Sequence, residues 1–152
     1  TLSPEAQRRD AGDPPTDAAT KRWYAQAEVT MYQTVANAHE HGVTLVAGTD
    51  AGMPYVYHGS LPYEIRQLAH AGLSQYQALA TGTCNAAAAL GISERVGSIA
   101  VGKEADFLLV NGQPERDLGV LEQRSHTPDT PGIVSVWQLG RCAVNYHEPT
   151  AA

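Results

Sequence analysis

The chain has 152 residues and a formal net charge of −6, with 10 Lys and Arg against 16 Asp and Glu. This length suffices for one ordinary domain with a buried core. The charge argues against a nucleic-acid partner, because phosphate binding requires clustered basic residues. A membrane partner is not expected either, since no apolar run approaches the roughly 18 residues that span a bilayer.

The chain begins with Thr1 rather than methionine, which predicts a processed or truncated piece of a longer protein. The sequence therefore does not fix the cellular compartment, although the cytoplasm is favoured. A homo-oligomer is also compatible with the sequence. Cys84 and Cys142 are far apart and have no metal or redox spacing. We expect two reduced, packed thiols.

Residues 22–41 carry apolar side chains at helical spacing, for example Trp23, Ala27 and Met31 in one i, i+4 row. Gly42 follows at the position where helices commonly end. The next stretch, "VTLVA" (residues 43–47), is apolar without alternation and partly β-branched, which is typical of a strand buried on both faces. Helix, glycine turn and strand predict one step of a parallel α/β fold.

Three shorter helices are predicted between residues 61 and 91. The first ends at Gly72, the second begins at a capping box formed by Ser74 and Gln77, and the third, "NAAAALG", ends at Gly91. The apolar side of the first helix comprises Leu61, Ile65, Leu68 and Ala69.

The rest of the chain is predicted to be rich in β-strands. The runs "FLLV", "IVSVW" and "CAVNY" are separated by Gly and Pro turns, and "QLGR" permits a tight hairpin in which Gly140 supplies a positive φ. We therefore divide the chain into a poorly structured linker (1–21), an αβα portion (22–92), a β-sandwich portion (93–147) and a tail (148–152).

Asp50 directly follows the predicted strand, between Gly48 and Gly52. Ligands gather at the carboxyl ends of strands in parallel α/β folds, which makes Asp50 a candidate site residue. An ionised carboxylate beside a buried strand is costly without compensation, and a metal ion or a protonated partner would supply it. The alternative is that Asp50 caps its own turn, as Asp often does; position and composition leave both hypotheses open.

The stretch "HEH", His39 to His41, has the His-x-His spacing of a metal-binding pair. Such a pair shares one face on a strand, but on a helix its members point roughly 200° apart. Because this pair ends the predicted helix, no metal site is predicted there. His58, in the loop after Asp50, is a candidate pocket residue or else a solvated one, and Glu64 and Arg66 are interpreted as a solvated helix face.

Five stretches occur in a recognisable order: "GVTLVAGTDAG", "HGSLPYEIRQLAHAGLSQYQAL", "TCNAAAALGI", "VGSIAVGKEADFLLVNGQP" and "VWQLGRCAVN". Together, over roughly residues 36–145, they resemble the C-terminal third of the metal-dependent amidohydrolase superfamily. The nearest branch resembles the imidazolonepropionases and Xaa-Pro dipeptidase-like enzymes. The resemblance implies an α/β fold, namely the C-terminal fragment of a (β/α)8 TIM barrel with "VTLVAGTD" as its eighth strand, followed by part of a small β-sandwich.

The resemblance also implies an activity and a site. Asp50 would be a metal ligand and a proton shuttle, activating the attacking water and then protonating the leaving nitrogen of an amide, cyclic amide or peptide-like bond. The implied cofactor is a divalent metal, zinc in preference to others, as one or two ions; the implied partner is a small-molecule or peptide-like substrate. His58 matches a loop lining the substrate mouth, whereas Asp106 matches a structural segment.

The family's other ligands have no counterpart in this chain: a His-x-His on strand one, a Lys or acidic group on strand four, and histidines on strands five and six. A complete barrel has about 250 residues, and a catalytic zinc site uses about three protein ligands plus water. We therefore expect this chain alone to be inactive. The competing hypothesis is a non-catalytic αβ and β-sandwich module used for binding or assembly.

Overall fold

The computed structural model describes residues 18–52, 57–124 and 126–147, except for the side chains of residues 19–21, 23 and 24 in the first helix. Most of the predicted linker, up to residue 17, and the predicted tail at 148–152 lie outside the described residues, as does the Trp23 side chain. Within the described part, no helix combines the length and apolarity needed to cross a membrane.

Helices fill the first half of the described chain. α1 begins at residue 18, so residues 18–21, predicted as linker, belong to a helix. α3 begins with the predicted capping box: Gln77 N donates to Ser74 Oγ (3.3 Å), and Ser74 N donates to Gln77 Oε1 (2.9 Å). The helices are α1 (Ala18–Glu40), α2 (Leu61–His70), α3 (Gln75–Thr81) and α4 (Cys84–Ala89).

α1 ends where the sequence predicts, at a Schellman motif around Gly42. Gly42 N donates to His39 O (2.9 Å) and Val43 N donates to Ala38 O (2.9 Å), while Gly42 adopts a φ of 75°. These bonds satisfy carbonyls that a helix end otherwise leaves unpaired. The same pair of bonds closes α2 around Gly72 and α4 around Gly91, so all three predicted stops are confirmed.

The stretch predicted as a doubly buried strand differs from expectation. Residues 43–50 have no strand partner among the described residues, and Val43 and Val46 are 53% and 44% exposed. Exposure alternates along the stretch, and Leu45 and Ala47 contact the hydrophobic core. The prediction of burial on both faces is wrong here, because it requires neighbouring strands that the described residues do not supply. We call these residues the 43–50 segment.

The three predicted strands in the second half are confirmed. β1 (Phe107–Asn111), β2 (Gly132–Gln138) and β3 (Arg141–Asn145) form an antiparallel sheet in the order β1-β2-β3. Phe107 lies opposite Trp137 in the register, and their rings stack with centroids 5.4 Å apart.

The hairpin between β2 and β3 turns at Leu139 and Gly140, whose φ angles are 50° and 72°. A two-residue type I′ turn requires positive φ at both positions, which glycine adopts without strain and leucine adopts only at a cost in free energy. Leu139 N donates to Asp106 Oδ1 (2.7 Å) and Gly140 N donates to Ala105 O (3.0 Å). Asp106 therefore serves the turn, in agreement with its structural interpretation.

One hydrophobic cluster joins the helical and β-rich portions. A 3-10 helix (Leu118–Glu122) that was not predicted packs against α2. Arg66 on α2 pairs with Glu122 of this 3-10 helix through two hydrogen bonds. The predicted boundary at residue 92 therefore does not separate two cores. The buried members of the cluster are Ile65, Leu68, Leu73, Ala78, Leu118, Val120 and Leu121.

Leu61, on the predicted apolar side of α2, is 38% exposed because it begins the helix. Two predictions about exposure need correction. Glu64, interpreted as solvated, is only 5% exposed because it lies on the packed side of the same helix. Cys84 and Cys142 are free as expected but exposed rather than packed, since they lie at the start of α4 and on the exposed edge strand β3.

Candidate functional site

Asp50 ends the 43–50 segment on the side away from the core. Leu45 and Ala47 contact the core cluster, whereas Val46, Gly48 and Asp50 are exposed. Side chains of an extended chain alternate between two faces. The exposed Asp50 is therefore not part of the face that contacts the core.

The backbone of Asp50 is left-handed, with a φ of 53°. This conformation costs an L-residue roughly 1–2 kcal/mol, although Asp tolerates it better than most. Such outliers are concentrated at functional sites. No described backbone N–H donates to the carboxylate, so the turn-capping alternative receives no support from the described residues.

Two helix ends hold the 43–50 segment in place. Ala47 N donates to Thr81 O (3.1 Å), at the end of α3. Asn85 Nδ2, in the first turn of α4, donates to Leu45 O (3.1 Å). Sequence analysis did not identify Thr81 or Asn85 as contacts of the segment. The stretch "TGTCN" gave no local signal for them, because both bonds join residues that are more than 30 positions apart in the chain.

A cavity of about 430 Å³ lies between α1, α2 and the 43–50 segment. Its wall includes the exposed Val46 and Gly48 as well as the buried Glu64. Asp50 is not among the residues that line it. We therefore do not treat this cavity as the site that Asp50 faces.

The histidines lie apart from this arrangement. His58 is exposed in the loop before α2, and the structure records no contact between it and Asp50 within the described residues. His39 lies in the last turn of α1, and His41 Nδ1 lies 2.7 Å from Asn37 O, a contact local to the helix end.

The described residues do not make a metal site by themselves. They contain no group of three or more His, Cys, Asp and Glu side chains that could hold an ion. A catalytic zinc site uses about three protein ligands. Asp50 fits as one oxygen ligand, because its carboxylate is exposed and accepts no hydrogen bond from the described backbone. Any further ligands would have to come from outside the described residues.

The chain belongs to the amidohydrolase family, whose model matches residues 26–141. The match includes α1 from residue 26 onward, the 43–50 segment and the first residue of β3. It confirms the resemblance carried by the five stretches described above.

Curated relatives are imidazolonepropionases. That of Syntrophobacter fumaroxidans is 37% identical over 102 residues, which are 66% of this chain and 22% of the relative. That of Deinococcus radiodurans is 40% identical over 85 residues, which are 52% of this chain and 20% of the relative. The chain thus spans about a fifth of the length of these relatives.

Similar solved structures come from the same branch. A Xaa-Pro dipeptidase with bound methionine in the active site matches 91% of this chain and 32% of its own, with a TM-score of 0.68 and 27% identity. A putative prolidase from Bifidobacterium longum matches 93% of this chain and 32% of its own, with a TM-score of 0.69 and 28% identity. The mixed α/β arrangement of this chain is therefore similar to that of about one third of each of these two proteins.

Proposed function

We propose that this chain is the C-terminal portion of a metal-dependent amidohydrolase that hydrolyses a C–N bond in a small-molecule or peptide-like substrate. Family membership and the names of the imidazolonepropionase and Xaa-Pro dipeptidase relatives support this class of reaction. In this proposal the 43–50 segment is a strand of a (β/α)8 barrel, and the sheet of β1, β2 and β3 is part of a β-sandwich.

The observation that carries the proposal is the position of Asp50. Asp50 is exposed at the end of the 43–50 segment, whose Leu45 and Ala47 contact the hydrophobic core. Active sites of (β/α)8 barrels lie at the carboxyl ends of the strands, and Asp50 ends the segment that this proposal makes a barrel strand. The exposure and the left-handed backbone of Asp50 support a role in which this residue faces the substrate.

In this proposal, Asp50 is one ligand of a divalent metal, zinc in preference to others, and it moves a proton. A divalent metal, when bound, supplies Lewis acidity that activates water and polarises a carbonyl group. The Asp50 carboxylate accepts a proton from the attacking water and gives it to the leaving nitrogen. His58, which is exposed and follows Asp50 by eight residues in the chain, contributes to the mouth of the substrate pocket.

The test uses the complete polypeptide that contains this chain. We expect metal that survives dialysis, hydrolysis of a panel of Xaa-Pro dipeptides and cyclic amides, and a loss of activity of about 10²- to 10⁴-fold in Asp50→Asn. The matched control is Asp129→Asn, a carboxylate-to-amide change at an exposed position of the loop before β2, which should keep activity and metal. The 152-residue chain alone should be inactive.

Two results would contradict the proposal. One is hydrolysis by the 152-residue chain alone at the rate of the complete polypeptide. The other is a complete polypeptide whose metal content and activity are the same in Asp50→Asn as in the control. The second result would show that Asp50 is not a reactive group of the enzyme, whereas a complete polypeptide with neither metal nor activity would favour a non-catalytic binding or assembly module.

A further inference from the structure

The 43–50 segment is held along one of its two edges. Val43 N donates to Ala38 O (2.9 Å), Leu45 O accepts from Asn85 Nδ2 (3.1 Å), and Ala47 N donates to Thr81 O (3.1 Å). In an extended chain, the backbone polar groups of residues i and i+2 point to the same edge. All three bonds therefore lie on one edge, where helix ends take the place of a neighbouring strand.

We propose that Asn85 is a positioning residue for Asp50. Its side-chain amide fixes the Leu45 carbonyl, and this bond, together with the Thr81–Ala47 bond, sets where the segment ends and where the Asp50 carboxylate lies. The inference rests on the proposed function, in which Asp50 is the reactive carboxylate of the site.

The orientation of the Asn85 amide follows from its partners. A carbonyl oxygen only accepts hydrogen bonds, so the Leu45 carbonyl requires the Nδ2 side of the amide. Asn85 Oδ1 faces Cys84 Sγ at 3.7 Å, a weak contact. The hydrogen bond to the 43–50 segment therefore requires a donor at position 85. An acceptor oxygen in its place would face the Leu45 carbonyl oxygen, and no hydrogen bond could form.

Asn85 is itself held on a fixed support. α4 ends at the motif around Gly91, and its outer side lies against Gly97. A Cβ at Gly97 would lie 2.5 Å from Ala87 Cβ, and the φ of Gly97 is 89°. The backbone thus approaches α4 closely at a position that only glycine accommodates, and α4 has little freedom to move away from the segment.

The bond matters more here than it would in a paired strand. Thr44, Val46 and Gly48, whose polar groups point to the other edge, have no strand partner among the described residues. Two of the hydrogen bonds described above join the segment to α3 and α4. If the Asn85 donor is removed, the bond between Ala47 N and Thr81 O is the one that remains. We expect Asp50 to lose its single left-handed conformation as a result.

The experiment is solution NMR on the full 152-residue chain with Asn85→Asp, which keeps the shape of the side chain but removes the donor. The control is Asn111→Asp, because Asn111 Nδ2 also donates to backbone carbonyls, those of Pro128 (2.8 Å) and Thr130 (2.9 Å). The Hα–Cα coupling of Asp50 reports the sign of its φ. The rate of amide hydrogen exchange at Ala47 reports how well the hydrogen bond from Ala47 N to Thr81 O is kept.

In Asn85→Asp we expect the Asp50 coupling to lose its left-handed value and the Ala47 amide to exchange about tenfold faster, the effect of about one lost hydrogen bond. In Asn111→Asp both should match the unsubstituted chain. Asn85→Gln, which keeps the donor, should recover part of the protection. Equal Asp50 and Ala47 signals in the two Asp variants would overturn the inference. So would failure of Asn85→Asp and Asn85→Gln to fold where Asn111→Asp folds, because it would make the role one of stability.

Metal binding by the complete polypeptide separates this inference from the proposed function. If both hold, zinc affinity falls in Asp50→Asn and falls about tenfold in Asn85→Asp, a typical cost of losing a residue that supports a ligand. If zinc affinity falls in Asp50→Asn but not in Asn85→Asp, the inference fails and the proposed function stands. If Asp50→Asn leaves zinc affinity unchanged, the proposed function fails, and the NMR comparison alone decides whether Asn85 positions Asp50.

Discussion

Two stretches with similar composition have different structures in this molecule. "VTLVA" (residues 43–47) and "IVSVW" (residues 133–137) are both five residues long, apolar and rich in β-branched side chains. The second lies in β2 and pairs with β1 on one side and β3 on the other. The first has no strand partner among the described residues and is held by Thr81 and Asn85.

The difference shows what local sequence does and does not determine. β-branched residues favour an extended backbone, but the pairing that makes a strand depends on neighbouring segments. β2 finds both neighbours within about 30 residues of chain: a two-residue turn joins it to β3, and residues 112–131, which include the 3-10 helix, join it to β1. The exposed apolar side chains of the 43–50 segment, Val43 and Val46, are consistent with neighbours that lie outside the described chain.

The largest effect is expected where the two regions meet. Leu118, on the 3-10 helix, is 2% exposed and belongs to the cluster that includes Ile65 and Leu68 of α2. Leu118→Ala should lower the free energy of unfolding by about 2–5 kcal/mol, because it removes buried methyl groups and leaves a cavity. Urea titration measures this loss when it is followed by the helix signal and, in a Trp23→Phe background, by the fluorescence of Trp137 on β2.

The two signals should shift together, since helical and β-rich portions share this cluster. Leu90→Ala is the control, because Leu90 is 73% exposed and its change should stay within about 0.5 kcal/mol. A shift of only one signal in Leu118→Ala would mean that the predicted boundary at residue 92 separates two independently folding units after all.

Hydrogen exchange tests the comparison of the two stretches directly. Amides of β2 should exchange at least about a hundredfold more slowly than those of Thr44, Val46 and Gly48, because ladder amides open only with larger unfolding events. Equal protection would contradict the difference described above. Protection of the three segment amides that rises with protein concentration would mean that a second copy pairs with the open edge.

The sequence predicts those parts of the fold that depend on local chemistry. The helix ends at Gly42 and Gly72 and the capping box at Ser74 were predictable, because each is a backbone requirement met by residues a few positions apart. The 3-10 helix was not predicted, although Asp117, whose Oδ1 accepts from Gly119 N (2.8 Å), is a local start signal. A five-residue element has too few positions to show a helical period.

The candidate site residue could be predicted from the sequence, but the contacts that hold its segment in place could not. Asp50 could be singled out because it follows an apolar run between two glycines, and its role stays a prediction. The contact of Asn85 with Leu45 joins residues 40 positions apart, and burial of Glu64 depends on which elements pack over α2. Neither has a signature in the neighbouring sequence, because both result from tertiary packing.

The smallest effect is expected at the turn that joins β2 to β3. Leu139 adopts a φ of 50°, which strains the backbone of an L-residue. Its side chain is 63% exposed, so burial of that side chain does not offset the strain. Asn tolerates this conformation better and is common at this position of type I′ turns. Leu139→Asn should therefore raise the free energy of unfolding by about 0.5–1 kcal/mol, as measured by urea denaturation.

The control for this change is Leu108→Asn, at an exposed position of β1 that pairs with Val136. Asn is unfavourable in a strand, so this variant should be destabilised by the same substitution that stabilises the turn. Opposite signs at the two positions would identify backbone conformation, rather than the loss of an exposed apolar side chain, as the cause. Destabilisation at both would mean that the Leu139 side chain makes a contribution that outweighs its left-handed strain.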